Sequence, residues 1–127
     1  MKEYILLIRN TIDSKGNFSL QQHLEFVNKC SVYIESLQRA GKLLAAQPMV
    51  REGVLLSKKT IDWETTPFNE HNEIMVGYYH IIANDMTEAI EIAKGNPEFA
   101  YTTTARIEVR PLKMKEDSTG YVYPNND

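Results

Sequence analysis

The alternation of apolar and polar positions along the chain predicts a β-α-β unit at its start. A short apolar run, residues 3–8, is bounded by a polar stretch and is typical of a buried strand. Ser19 followed by Gln22 matches a capping box, in which each side chain satisfies a free backbone amide, and this predicts a helix start. Apolar residues then recur at helical spacing up to Gly41, which predicts the helix end. That stripe consists of Leu20, Leu24, Val27, Cys30, Ile34 and Leu37.

Three further apolar runs predict short strands after this helix. Residues 43–46 predict a strand that Pro48 closes, running antiparallel or parallel to the first. Residues 53–56 and 60–63 flank a polar connection at residues 57–59, which indicates a hairpin. The polar segment that follows, with Pro67 in it, is typical of a loop.

The second half of the chain repeats the β-α-β order. Residues 74–83 predict a strand covered on both sides, because both of its alternating faces are mainly apolar or aromatic. Asp85 with Glu88 predicts a second helix start, and Pro97 opens one more turn after it. Residues 105–110 alternate cleanly as a final strand. The fold class predicted is α+β, a ferredoxin-like split βαβ with an inserted hairpin.

Two helices cover only one face of such a sheet, so the other face needs a second layer. A second copy of the chain is the most economical source of that layer, and we therefore expect a homodimer. Residues 1–112 form the single expected domain. Residues 113–127 form a polar C-terminal tail, in which Tyr121 and Tyr123 are candidates for anchoring it to a surface.

Composition and charge narrow the function classes. The chain has 127 residues and a single cysteine, which excludes an intramolecular disulfide and favours a reducing compartment. No apolar run is long enough to span a membrane, and residues 1–8 are too short for a signal peptide, so a cytoplasmic location is expected. Fourteen basic against seventeen acidic residues give 14 − 17 = −3, and no basic cluster suggests a nucleic-acid partner.

Three segments, taken in order, resemble the YCII-related family, including its DGPF subgroup of small dimeric α/β-barrel proteins. They are residues 40–49, residues 67–73 running into residues 77–79, and residues 107–111. The resemblance covers residues 1–112 and implies the same fold and a dimer. The likeness of the family to muconolactone isomerases implies a lyase or isomerase activity, and its occurrence beside extracytoplasmic-function sigma factors implies a regulatory role.

The chain departs from the family pattern at two places that concern function. The positions matching the Asp-Gly-Pro-Phe turn are Thr65, Thr66, Pro67 and Phe68, so the carboxylate and the glycine are missing. The resemblance implies a catalytic His paired with an Asp, and Cys30 stands where that His would be. The first function expected is therefore binding of a small organic molecule without turnover. The alternatives are a lyase- or isomerase-like enzyme and a regulatory partner of another protein.

The candidate site residues lie on or beside the strand at residues 74–83. His80 and Glu70 are the candidates for proton transfer, with a satisfied interface histidine and a solvated carboxylate as the alternatives. The residues expected to line a ligand cleft are Trp63, Phe68, Glu70, Tyr78 and His80. The aromatic members fill the core or an interface in the alternative interpretation.

Other chemistry-bearing residues give weaker signals. Cys30 on the apolar stripe is interpreted as core packing rather than as a nucleophile. Arg9, Arg106 and Arg110 either meet near strand ends to hold an anion or solvate the surface. The three histidines lack short ligand spacing, and no nucleotide-binding or nucleophile-elbow motif occurs, so neither a metal nor a cofactor is expected.

Overall fold

The strands and helices alternate in the order that the hydrophobic pattern predicts. The computed structural model describes residues 1–11, 14–67 and 73–125. The elements are β1 (Lys2–Thr11), α1 (Leu20–Arg39), β2 (Leu43–Pro48), β3 (Leu55–Lys59), β4 (Asp62–Thr66), β5 (Glu73–Ala83), α2 (Met86–Lys94), α3 (Glu98–Tyr101) and β6 (Arg106–Pro111). Both predicted N-caps are confirmed: Ser19 accepts from the Gln22 amide at 3.1 Å, and Asp85 accepts from the Glu88 amide at 2.9 Å.

The main sheet has four strands in the order β2-β5-β1-β6, and each neighbouring pair is antiparallel. The two central strands, β1 and β5, come from different β-α-β units, which is the interleaving that defines a ferredoxin-like sheet. The α+β fold class is confirmed. Within the described residues of one chain, this sheet stays open and does not close into a barrel.

The two faces of the sheet have different surroundings. One face, the core face, packs its buried side chains against α1 and α2. Its central residues are Tyr4, Leu6, Ile8, Tyr79, Ile81 and Ala83, with Leu37, Ala89 and Ala93 from the helices. The opposite face, the open face, carries the alternate residues of the same strands: Glu3, Ile5, Leu7, Tyr78, His80, Ile82, Glu108 and Arg110. Both α1 and α2 lie on one side, as the sequence predicts.

Strand pairing in the main sheet is irregular at two points, between Leu43 and Ala45 on β2 and between Ile8 and Arg9 on β1. The register between β1 and β5 shifts after the Ile8–Gly77 pair, so that Arg9 faces Met75 and Val76 has no opposite residue. This is a β-bulge, and it turns Val76 toward the core, against which it packs. Strict alternation along residues 74–83 predicts Val76 on the face of Tyr78 and His80, and this prediction is wrong because the bulge adds one position.

The predicted apolar stripe of α1 is correct only in its second half. Leu37 is buried and Ile34 packs on the core, but Leu20 and Leu24 are 76% and 60% exposed. Phe26 is the buried residue of the first half instead. Its ring packs against two others, those of Phe18 and Tyr101, with centroids 6.3 and 5.4 Å away. The first half of α1 therefore packs against Phe18 and α3 rather than against the sheet.

The inserted hairpin is present, with its turn three residues later than expected. β3 and β4 pair from Leu55 with Thr66 to Lys59 with Asp62, so the turn consists of Thr60 and Ile61. Thr60 has a φ of 53°, which is unfavourable for a β-branched residue. The polar run at residues 57–59, which had suggested the turn, belongs to β3. Its Lys59 pairs with Glu64 across the hairpin, with 3.1 Å between the charged atoms.

The C-terminal segment folds back on itself after β6. Lys115 and Val122 form an isolated antiparallel bridge, and the rings of Tyr121 and Tyr123 contact each other. Both tyrosines are exposed. Asn125 donates a hydrogen bond to Glu3 Oε2 at 2.6 Å, which ties the end of the described chain to the open face.

Candidate functional site

A pocket of about 500 Å³ opens between α1 and the core face of the sheet. Its walls are mainly apolar and come from α1, β1, β2 and β5. The residues that line it include Val27, Cys30, Ile34, Val76, Gly77 and Tyr79. The pocket exists because the first half of α1 is held by the Phe26 ring cluster and not by the sheet, which leaves space beneath the helix.

A short segment after α2 contributes two buried polar residues to the pocket wall. Asn96 and Glu98 both line it, and each is only 3% exposed. The side-chain oxygen of Asn96, Oδ1, accepts a hydrogen bond from the Glu98 backbone amide at 2.9 Å. The side-chain nitrogen of Asn96, Nδ2, is buried and makes no hydrogen bond of ordinary geometry within the residues that the structure describes. A buried donor without an acceptor is rare in folded proteins and calls for an explanation.

The carboxylate of Glu98 is fully engaged by its neighbours. One oxygen lies 2.6 Å from Lys15 Nζ, and the other accepts from Asn10 Nδ2 at 2.7 Å. Asn10 is completely buried, and its own oxygen accepts from the Thr11 amide and from the Thr104 hydroxyl. This network connects β1 to α3 and to Thr104, which precedes β6. It stabilises the fold because each of its buried polar atoms has a hydrogen-bond partner.

Two ionisable side chains in the pocket wall keep their protons. Burial raises the pKa of Tyr79 to about 12, with Cys30 and Glu98 adding to the effect and the nearby Asn96 amide opposing it. Burial also raises the pKa of the Cys30 thiol, with the Glu98 charge adding to it and the Lys15 charge opposing it. The thiol is therefore a neutral part of the pocket wall. Cys30 is half-buried there, so its predicted place in the packed core is corrected to the edge of a cavity.

A second group of functional side chains lies on the open face. His80 Nε2 is 2.6 Å from Glu3 Oε1, and both side chains are largely buried, at 22% and 16% exposure. Tyr78 stands two residues along β5 on the same face. A carboxylate that holds one ring nitrogen of a histidine fixes its tautomer and orientation, as in proton-transfer sites. Sequence reasoning found His80 but missed Glu3, whose partner depends on the register between β1 and β5.

A family model for the YCII-related domain matches residues 3–113, nearly nine-tenths of the chain. The chain belongs to the YCII-related domain family. A comparison with curated proteins finds no match. The matched segment of this YCII-related domain contains both the pocket beneath α1 and the His80–Glu3 pair.

The remaining residues predicted for the ligand cleft lie on the hairpin or outside the described residues. Trp63 is on β4 and is 66% exposed, with Lys58 Nζ 5.2 Å from its ring centroid. Phe68 and Glu70 lie outside the described residues of the YCII-related domain. Their assignment to a cleft stays a prediction, and so does a cleft on the open face, which needs a second layer.

The three arginines that the sequence offered as anion ligands do lie close together on the YCII-related domain. Arg106 forms a two-pronged contact with Glu73 at 2.7 and 2.8 Å, and Arg9 and Arg110 both contact Glu108. The hydrogen bond from Arg106 lowers the pKa of Glu73, and the one from Arg110 lowers that of Glu108. Their charges are thus largely balanced by carboxylates, which favours the surface interpretation.

Neither a metal cluster nor a membrane-spanning helix is found in the described part of the YCII-related domain. No three or more His, Cys, Asp or Glu residues are arranged there to hold a metal ion. No helix there is both long and apolar enough to cross a bilayer.

Proposed function

We propose that this YCII-related domain binds a small organic molecule in the pocket beneath α1. The observation that carries the proposal is the pocket itself, whose volume of about 500 Å³ and apolar walls match those of small-molecule sites. Polar side chains interrupt these walls, among them Gln38, Gln47 and Asn96, and such groups can orient a ligand. Apolar surface buried by the ligand supplies the affinity, at roughly 25 cal/mol per Å².

Binding without turnover is the activity that these groups support best. A nucleophile or general base in the wall needs to be deprotonated at neutral pH. The raised pKa values of Cys30 and Tyr79 keep both protonated, and the Glu98 carboxylate is occupied by Lys15 and Asn10. Glu35 also lines the pocket, but it lies on the exposed side of α1.

The binding proposal is tested by thermal denaturation against a panel of small organic molecules, with two matched tryptophan variants. Val27→Trp fills the mouth of the pocket, whereas Leu24→Trp adds the same bulk one turn earlier on an exposed part of α1. A ligand at 100 times its Kd adds about 2.7 kcal/mol, or roughly 10 °C in Tm for a domain of this size. The shift should persist in Leu24→Trp and vanish in Val27→Trp. A shift that survives in Val27→Trp would place the ligand elsewhere.

A homodimer formed through the open face is the assembly we propose. Its support is that Ile5, Leu7, Tyr78 and Ile82 project from a face that neither α1 nor α2 covers. The hairpin adds exposed apolar side chains, among them Leu56 and Trp63. Replacing an apolar residue in the centre of such an interface by a charge prevents association. Sedimentation equilibrium should give twice the chain mass for the wild type and the single-chain mass for Leu7→Glu; a monomeric wild type at micromolar concentration would end this proposal.

A second candidate function is acid–base catalysis by His80 on the open face, a lyase or isomerase reaction. The specific observation in its favour is the 2.6 Å contact between His80 Nε2 and Glu3 Oε1. His80→Gln should abolish turnover of any substrate found and leave Tm almost unchanged if the histidine is catalytic. If the histidine is structural, the same variant should lose about 1 kcal/mol or more, because a buried hydrogen bond is altered.

A further inference from the structure

The pocket wall contains buried hydrogen-bonding groups that are not fully satisfied within the described residues. The Asn96 side chain is the clearest case, since its amide nitrogen is buried and unpartnered. Its orientation is not ambiguous: the Glu98 backbone amide donates to one terminal atom of the side chain at 2.9 Å, so that atom must be the oxygen. The nitrogen is therefore the atom left without a partner.

The Tyr79 hydroxyl lies beside this amide. The Asn96 amide lowers the pKa of Tyr79, as a donor directed at the Tyr79 oxygen does, although the geometry falls short of a regular hydrogen bond. Because burial holds the pKa of Tyr79 at about 12, its hydroxyl carries a proton at neutral pH and is a donor. Two groups that can donate hydrogen bonds thus lie side by side in the wall of a mainly apolar pocket.

The charges around the pocket restrict what can be bound there. Among the described residues, none of those lining the pocket is a lysine, an arginine or a histidine, and two are glutamates, Glu35 and Glu98. A carboxylate or phosphate on the ligand would be desolvated beside these carboxylates with no cation to pair with, since Lys15 is bound to Glu98. An ammonium group would bring a further donor to the Asn96 amide, and the nearby Glu98 oxygens are already bound to Lys15 and Asn10.

We propose that the ligand is an uncharged, largely apolar molecule that places a carbonyl oxygen between the Asn96 amide and the Tyr79 hydroxyl. The proposal rests on the proposed function, because it assigns a ligand class to the same pocket. A carbonyl oxygen accepts two hydrogen bonds, which matches the two donors, and the rest of the molecule lies against Val27, Ile34 and Val76.

Four naphthalene probes that differ in one substituent test this assignment. They are 2-acetylnaphthalene, 2-ethylnaphthalene, 2-naphthoate and 2-naphthylmethylamine, with affinities measured by calorimetry on the full chain. Satisfying a buried donor favours binding by roughly tenfold. The acetyl compound should therefore bind about tenfold more tightly than the ethyl compound, and both charged compounds more weakly still. In ¹⁵N-resolved spectra, the side-chain amide signals of Asn96 should shift with the acetyl compound.

Two variants and one matched control show whether these donors cause the preference. Asn96→Asp keeps the oxygen that accepts from Glu98 and removes the amide donor, and Tyr79→Phe removes only a hydroxyl. Both should bring the acetyl and ethyl affinities close together. Tyr33→Phe deletes a hydroxyl that donates to the Ile92 carbonyl outside this pocket, and it should keep the wild-type preference.

The outcomes separate this proposal from the one it rests on. Equal binding of the acetyl and ethyl compounds in the pocket, or tightest binding of either charged compound, would overturn the ligand class and leave the pocket as a binding site. No binding of any of the four probes to the wild type would overturn the pocket itself as a ligand site.

Discussion

Replacing Gly77 by alanine adds a single methyl group that should disturb both the β2–β5 pairing and the pocket wall. Gly77 is a buried residue of β5 next to the bulge, and it pairs with Pro48 on β2. A Cβ atom added there would lie 2.6 Å from the Gln47 carbonyl oxygen and 2.9 Å from the Pro48 Cα. Both are backbone atoms, so the clash cannot be relieved by a side-chain rotation. The strand β2 would have to move away from β5.

The cost follows from how that movement is resisted. Forcing an extra methyl group into a well-packed interior typically costs 1–3 kcal/mol, and here the obstacle is backbone rather than a flexible side chain. We therefore expect a loss of about 3 kcal/mol in the free energy of unfolding. For a chain of this length this corresponds to a decrease of roughly 10 °C in Tm. Ligand binding should weaken as well, because Gly77, Gln47 and Pro48 all line the pocket.

Thermal and urea denaturation of Gly77→Ala measure this loss, and Gly95→Ala is the matched control. At Gly95 an added Cβ would lie 3.2 Å from Tyr33 Cε1, a ring atom that can give way, and the backbone has an ordinary φ of −79°. The control should lose no more than about 1 kcal/mol. A Gly77→Ala variant that melts within two or three degrees of the wild type (about 0.7 kcal/mol) would refute the close approach of β2 to β5.

Three further predictions concern the network, the tyrosines and the first helix. Asn10→Ala should lower the free energy of unfolding by about 3 kcal/mol in urea titrations, because it removes a fully buried side chain and leaves the buried Glu98 carboxylate without one of its donors; a loss below 1 kcal/mol would contradict this. Burial raises the pKa of Tyr79 from its ordinary 10.0 to about 12, so its stabilising effect is complete below pH 10 and is lost as pH rises toward 12. Alkaline unfolding curves of Tyr79→Phe should show a smaller loss over this range, and an unchanged pH dependence would contradict the burial. Ser19→Ala should cost about 1 kcal/mol through loss of the N-cap, measured by urea unfolding, and no measurable change would argue that the cap is frayed.

The elements of the fold were predictable because they depend on local sequence. Alternation in β1, β5 and β6 shows which residues face the helices, and the capping residues show where helices begin. At the start of α2, the Glu88 side chain accepts a hydrogen bond from a backbone amide, as a capping box predicts. The amide is that of Asn84 and not that of the N-cap residue Asp85. That displacement by one residue is set by the chain direction entering α2, which no local pattern specifies.

The orientation of α1 could not be predicted, because two helical stripes compete in its sequence. Leu20, Leu24 and Val27 begin one stripe, Phe26 and Tyr33 belong to another, and Cys30 fits the spacing of both. Which stripe is buried depends on the residues from other parts of the chain that pack against it. The ring of Tyr101, from α3, and the ring of Phe18 select Phe26, and this contact joins distant parts of the chain.

The candidate site was predicted only in part, because its geometry also depends on contacts between residues that are distant in sequence. His80 and Tyr78 are recognisable as polar groups on an apolar strand, but the partner of His80 comes from β1 through pairing. The pocket is still harder to foresee, because it is a space left between α1, β2 and β5. Asn96 carries a weak sequence signal, since an Asn before Pro97 is typical of a turn and not of a ligand contact.

The alternation of β5 gives this domain two functional faces that can be altered separately. Tyr79 points to the pocket and His80, the next residue, points to the open face. A variant such as Leu7→Glu therefore disturbs the proposed dimer without touching the pocket wall, and Val27→Trp does the reverse. If the two faces are independent, the monomeric variant binds a ligand with wild-type affinity. If its affinity falls, the β5 backbone couples the two faces, since the pocket on one chain does not otherwise contact the open face.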